Sequence, residues 1–118
     1  MSPEATLNSL LTGATALTAL VGTRIYPDVL PAETTYPAVV FAREKTERTV
    51  SITGRVFGSA VIFHVAAWGA SRTQVDAVAD QIEAAIDASS AMVLGDRTAS
   101  YDPETDLFAS VLEATLYT

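Results

Sequence analysis

The chain holds one histidine, His64, and no cysteine. A zinc site would therefore need His64 with carboxylates alone, and no Asp or Glu stands at a helical or loop spacing from it that suggests one. His64 lies within an apolar run, Ala60 to Trp68, and reads as a histidine packed in a core or an interface. No serine or aspartate is set in a pattern that singles out a nucleophile and its base. Gly13, Gly22, Gly54, Gly58, Gly69 and Gly95 are scattered and never form a phosphate-cradling run. The stretch Asp102-Pro103-Glu104-Thr105-Asp106 offers three carboxylates in five residues. It lacks the length and the glycine of a calcium loop and reads as a polar hairpin turn. Trp68, Tyr26, Tyr36 and Tyr101 are not interleaved with bases as in a single-strand binder, and read as core or interface anchors. These residues predict no catalytic, metal or cofactor-binding group.

The elements that would position them begin with a helix. Ser2 can cap it, Pro3 fits its first turn and Glu4 complements its positive end. Leu7, Leu10, Leu11 and Ala14 share a face, Gly13 ends or bends the helix, and Leu17, Leu20 and Val21 suggest one more turn closed by Gly22. Pro27 and Pro31 forbid a helix and cannot donate to a sheet, so the next stretch is expected to run extended over the surface. Pro37 delivers the chain to a strand over Ala38 to Arg43. Residues 44–57 read as a protruding hairpin or long loop, with a turn at Thr53-Gly54 and a cluster of bases: Arg43, Lys45, Arg48 and Arg55.

Ser59 to Trp68 is apolar at every position but His64 and its polar start, as a central strand covered on two sides would be. Ser71 and Gln74 form a capping box. Val75, Val78, Ala79, Ile82 and Ile86 then make a helical stripe, with Arg72, Asp76, Asp80, Glu83 and Asp87 facing away. Ala91 to Tyr101 reads as a weaker strand interrupted near Gly95-Asp96-Arg97, and Leu107 to Tyr117 as a final strand pairing with it. The order predicts an α+β fold over residues 1–118: one compact domain, a mostly antiparallel sheet of about four to five strands, and two main helices on one face.

The chain's 118 residues can bury a core without disulfides. No run is long and apolar enough to span a bilayer, and the N-terminus lacks the basic region of a signal peptide. Net charge is −7, which argues against a protein that grips nucleic acid through a basic face. The charge is uneven: residues 1–72 carry five acids against six bases, and residues 73–118 carry nine acids and only Arg97. That split fits a solvated acidic helix and loop, or two faces of opposite sign that meet in an oligomer.

Three segments together resemble one family. They are Leu17 to Phe41 (LTALVGTRIYPDVLPAETTYPAVVF), Val65 to Asp87 (VAAWGASRTQVDAVADQIEAAID) and Tyr101 to Thr118 (YDPETDLFASVLEATLYT). The family is the tail completion proteins of long-tailed bacteriophages, also called tail terminators or tail-to-head joining proteins, and it includes proteins similar in fold to the lambda tail terminator U. The ordered set covers nearly the whole chain, whereas residues 44–58 match only in position and polarity. The resemblance implies a non-enzymatic virion protein of the tail neck, assembled in the host cytoplasm. Such proteins cap the head-proximal end of the tail tube as a ring, commonly a hexamer. The cap stops tube polymerisation and presents a surface to the head connector. DNA passes through without specific binding, and no cofactor or membrane is involved.

A ring built from one chain needs a patch that meets a different patch on its neighbour. The candidate ring interface sets Arg43, Lys45, Arg48 and Arg55 against Asp76, Asp80 and Glu83. Pro27 and Pro31, with Asp102, Glu104 and Asp106, are candidate docking or lumen loops. Two other readings compete: a head-side neck or adaptor protein of the same size class, and a small-ligand-binding α+β domain with a pocket at Trp68 and His64.

Overall fold

A computed structural model describes residues 2–31, 34–50, 56–89 and 92–117. The chain starts with two short helices, α1 (Pro3–Thr12) and α2 (Thr15–Val21). Ser2 caps α1, its Oγ accepting from the Ala5 N–H at 3.1 Å. The Gly13 N–H closes the last turn on the Ser9 carbonyl at 3.0 Å. Gly22 ends α2 with φ of 60°, a left-handed conformation that costs a residue with a Cβ about 1 kcal/mol or more. Leu7, Leu11, Leu17 and Val21 are fully buried.

After α2 come β1 (Ile25–Pro27) and β2 (Ala38–Val50). The segment expected to cross the surface thus contains a short strand, parallel to β2 with Ile25 opposite Val39. Arg24 fixes the approach: its Nε donates to the Pro37 carbonyl at 2.9 Å, and its own carbonyl accepts from the Val39 N–H at 2.9 Å. Tyr36-Pro37 is a cis peptide bond. β2 does not stop at Arg43; it runs on to Val50 and pairs antiparallel with β3 (Val56–Gly69) as one long hairpin. The alternating Thr and Val pattern at its far end extends the strand, because cross-strand pairing continues there. The expected turn at Thr53-Gly54 and Arg55 lie outside the described residues.

α3 (Arg72–Asp87) follows, then β4 (Met92–Asp102) and β5 (Leu107–Tyr117). The Ser71 Oγ accepts from the Gln74 N–H at 3.2 Å. Gln74 Oε1 reaches the Ala70 N–H at 3.0 Å, one residue earlier than a capping box requires. Sheet order is β1-β2-β3-β5-β4. β5 is antiparallel to both β3 and β4, so it slots between two parallel strands joined by α3, a split βαβ unit.

Val61, Phe63, Val65 and Ala67 of β3 point into one core with Val39 and Phe41 of β2, Leu112 and Ala114 of β5, and Val75, Val78, Ala79, Ile82 and Ile86 of α3. Two-residue alternation turns Ile62, His64, Ala66 and Trp68 to the opposite face. The described helices all pack on the first face, so the central strand is covered on one side, not on both as expected. Ile62 and Ala66 still retain only 9% exposure, flanked in register by Lys45 and Thr115 and by Val40 and Val111.

The molecule measures 51 × 30 × 23 Å. The long axis follows from strand length, since the thirteen residues of β2 alone span about 43 Å at 3.3 Å per residue. β5 ends at Tyr117 opposite Ala60, so the β2–β3 ribbon beyond Ala60 extends past the third strand.

Candidate functional site

The candidate interface residues fall on three surfaces. On the acidic side of α3, residues 76, 80 and 83 stand one turn apart, and Arg97 of β4 reaches into them. Its Nη1 donates to Asp80 Oδ1 at 2.8 Å and Glu83 Oε1 at 3.2 Å, and its Nη2 to Asp76 Oδ1 at 3.3 Å. The hydrogen bond it donates to Asp80 chiefly holds the guanidinium above its ordinary range, with burial opposing. Arg72 adds a second cation 3.5 Å from Asp76 and donates to the Ala109 and Ser100 carbonyls at 3.0 and 2.7 Å. Its guanidinium lies 5.3 Å from the Phe108 ring centre. Three carboxylates against two guanidiniums leave this patch at net −1.

The hairpin cations do not share one face. A bulge between Arg43 and Lys45 shifts the register, so Arg43 lies opposite Phe63 on the helix side and Lys45 opposite Ile62 on the helix-free side. Arg43 Nη2 bonds Glu4 of α1 at 2.9 Å, and its Nη1 bonds Thr46 Oγ1 at 3.2 Å. Lys45 Nζ pairs with Glu47 at 2.8 Å, and that hydrogen bond raises its pKa. Arg48 is exposed, opposite Ser59 on the helix side. The hairpin is thus charge-mixed along its length, with Glu44 and Glu47 between the bases.

Glu44, two residues after Ala42, which lies opposite His64, keeps the helix-free face. There its Oε2 meets His64 Nε2 at 3.1 Å, while Glu113 of β5 stands directly opposite His64. The histidine side chain is 46% exposed. Of the two expected settings, core or interface, the core is not the one it takes, because its odd-numbered neighbours hold the helix side. No cavity forms beside it or Trp68 among the described residues.

In the loop candidates, Pro27 ends β1, and Pro27 and Pro31 are both exposed beside Val29, which is 74% exposed. The Asp28 N–H donates to the Phe41 carbonyl at 2.8 Å, tying this segment to β2. At the other hairpin, Asp102 shapes the turn: its carboxylate accepts from the Glu104 N–H and the Thr105 hydroxyl, each at 3.0 Å. Asp106, at φ of 56°, accepts from the Tyr101 hydroxyl, which raises the phenol's pKa. Glu104 is exposed at the tip.

Comparison with known proteins decides the family. The model of the tail completion protein gp17 family matches residues 5–118. The chain belongs to that family. No curated protein sequence matches it. A chain in the solved virion of a native gene transfer agent particle shares the fold, with a TM-score of 0.82 and 20% identity. The match covers 98% of this chain and 93% of that one.

Within this tail completion fold, three features escaped sequence reasoning. Arg97 was the lone base of an acidic half, and that isolation was the available signal. Arg24 sits before Ile25-Tyr26-Pro27 and gave no periodic signal. Glu44, His64 and Glu113 become neighbours only through strand register across β2, β3 and β5, so no linear spacing links them.

Proposed function

We propose that this chain is a tail terminator: a single structural domain that caps the head-proximal end of the tail tube as a ring, with six copies the expected number. The ring stops tube polymerisation and offers the surface to which the head connector joins. It does no catalysis, and DNA passes through it without specific binding. The protein assembles in the host cytoplasm and stays in the neck of the virion. The family match over nearly the whole chain carries this reading, and the kinship in fold with a chain of a virion particle supports it.

The shape suits the role. A ribbon that extends past the third strand has backbone edges and charged side chains to offer a neighbour. In the proposed ring, the hairpin residues Arg43, Lys45, Arg48 and Arg55 of one copy approach Asp76, Asp80 and Glu83 of the next. The net negative α3 patch favours that approach even with Arg97 bound. Pro27 and Pro31, stiff and exposed beside Val29, form a docking edge that loses little entropy on contact. Asp102, Glu104 and Asp106 form an acidic loop that repels DNA where it faces the lumen.

A reconstruction of the neck of the phage that carries this gene tests the assignment. A ring of this fold seated on the last tube layer supports it. The same fold found only against the head connector, or absent from the particle, contradicts it.

A further inference from the structure

The helix-free face of the sheet holds a cluster that is not among the proposed ring contacts. Glu44, His64 and Glu113 come from three adjacent strands, and one ligand atom from each lies within 4.8 Å of the others. Three features set them apart from a chance surface pair. First, two-residue alternation from Ala42, which lies opposite His64, sets Glu44 on this face, where its carboxylate meets the imidazole Nε2. Second, Glu113 is fixed opposite His64 by register in the middle of β5, with its side chain half-buried. Third, the partner strand makes room for it. β4 is bulged between Leu94 and Arg97, and at Gly95 a Cβ would stand 3.1 Å from Glu113 Oε1 and 3.2 Å from its Cβ. Gly95 does not have a positive φ, so the close approach to Glu113, not backbone conformation, is what favours glycine there.

We propose that Glu44, His64 and Glu113 form a binding site for one divalent transition-metal ion of the zinc class. One imidazole with two carboxylates is a borderline donor set that zinc accepts and that magnesium and calcium, which take oxygen ligands, do not favour. Ligand atoms around a tetrahedral zinc, at about 2.1 Å from the metal, stand about 3.4 Å apart. Small side-chain rotations close the remaining gap, and Glu44 and His64 are exposed enough to make them. The fourth position faces solvent and takes water. Lys45 is the nearby charge that opposes the metal: it is bonded to Glu47, and Glu44 and Glu113 also favour its charged form. The site is therefore expected to bind in the micromolar range and not tighter.

The test is calorimetric titration of the full chain, free of any histidine tag, with zinc sulfate, and a matched titration with magnesium. The proposal expects one zinc per chain and no magnesium binding at the same concentrations. It expects His64→Ala and Glu113→Gln each to weaken binding at least tenfold, and Lys45→Gln to tighten it several-fold. His64 is the only histidine, so its imidazole NMR signals report coordination at Nε2 without assignment ambiguity. His64→Ala removes an exposed side chain, and an unchanged melting curve confirms that the variant is folded. Zinc binding that survives His64→Ala, absence of binding by the native chain at millimolar zinc, or equal affinity for magnesium overturns the proposal and leaves an ordinary histidine–carboxylate pair.

Discussion

Replacing Arg97 with Met tests whether β4 is held to α3 by charge. The change keeps most of the apolar stem and deletes three contacts, to Asp80, Glu83 and Asp76 at 2.8, 3.2 and 3.3 Å. Asp80 is 65% exposed and all these pairs are solvent-screened, so each contributes about 0.3–0.5 kcal/mol. With the guanidinium gone, residues 76 and 80, one turn apart, and residues 80 and 83 repel, adding about 0.2–0.5 kcal/mol per pair. The total is about 1.3–2.5 kcal/mol. In urea, with a slope of about 1–3 kcal/mol per M, the midpoint should fall by about 1 M with the slope unchanged. At 1 M salt the screening length drops to about 3 Å, so most of the difference between variant and native chain should vanish. A double-mutant cycle with Asp80→Asn should show a coupling of about 0.5 kcal/mol. An unchanged midpoint, or a loss that persists in full at 1 M salt, would refute the electrostatic account.

Other consequences can be checked with simpler assays. Ile82, fully buried at the centre of the α3 stripe, should cost about 2–5 kcal/mol as Ile82→Ala, seen as a large drop in the melting midpoint. Tyr101 should titrate above the ordinary phenol range in ultraviolet difference spectra, and Asp106→Asn should bring it back. Because the fold favours the protonated phenol, its contribution to stability is complete below about pH 10 and fades as pH rises through the raised value. Reversing charge in the hairpin with Arg48→Glu and Arg55→Glu should leave the melting of the isolated chain nearly unchanged. The same pair should sharply reduce plaque formation when supplied to a phage that lacks the gene; full complementation would rule out the hairpin as a ring contact.

Much of the fold can be read from local pattern. The stripe from Val75 to Ile86 behind a Ser71 cap determines α3 without reference to anything else, and Ser2, Pro3 and Glu4 do the same for α1. The interruption of β4 near Gly95 and the turn after Asp102 also follow from residue type. Non-local features were out of reach. Three residues, Ile25 to Pro27, are too short to show a period, and their parallel pairing depends on Arg24 and Pro37 meeting across a loop. The apolar run around His64 looks the same whether its second face is covered by helices or only flanked by neighbouring side chains. The bulge at Glu44 separates Arg43 and Lys45, which an unbroken strand would have kept on one side. The cluster of Glu44, His64 and Glu113 depends on the register of β2 against β3 and on β5 inserting beside β3, and neither is visible in linear spacing.

The central claim is that the protein ends tube growth. The most direct measurement deletes the gene from its phage or prophage, induces the lysate and records tail lengths by negative-stain electron microscopy. The account predicts overlong, headless tails beside DNA-filled heads, with normal length restored when the native gene is supplied in trans. Tails of normal length that fail to join heads, or intact infectious particles, would contradict it.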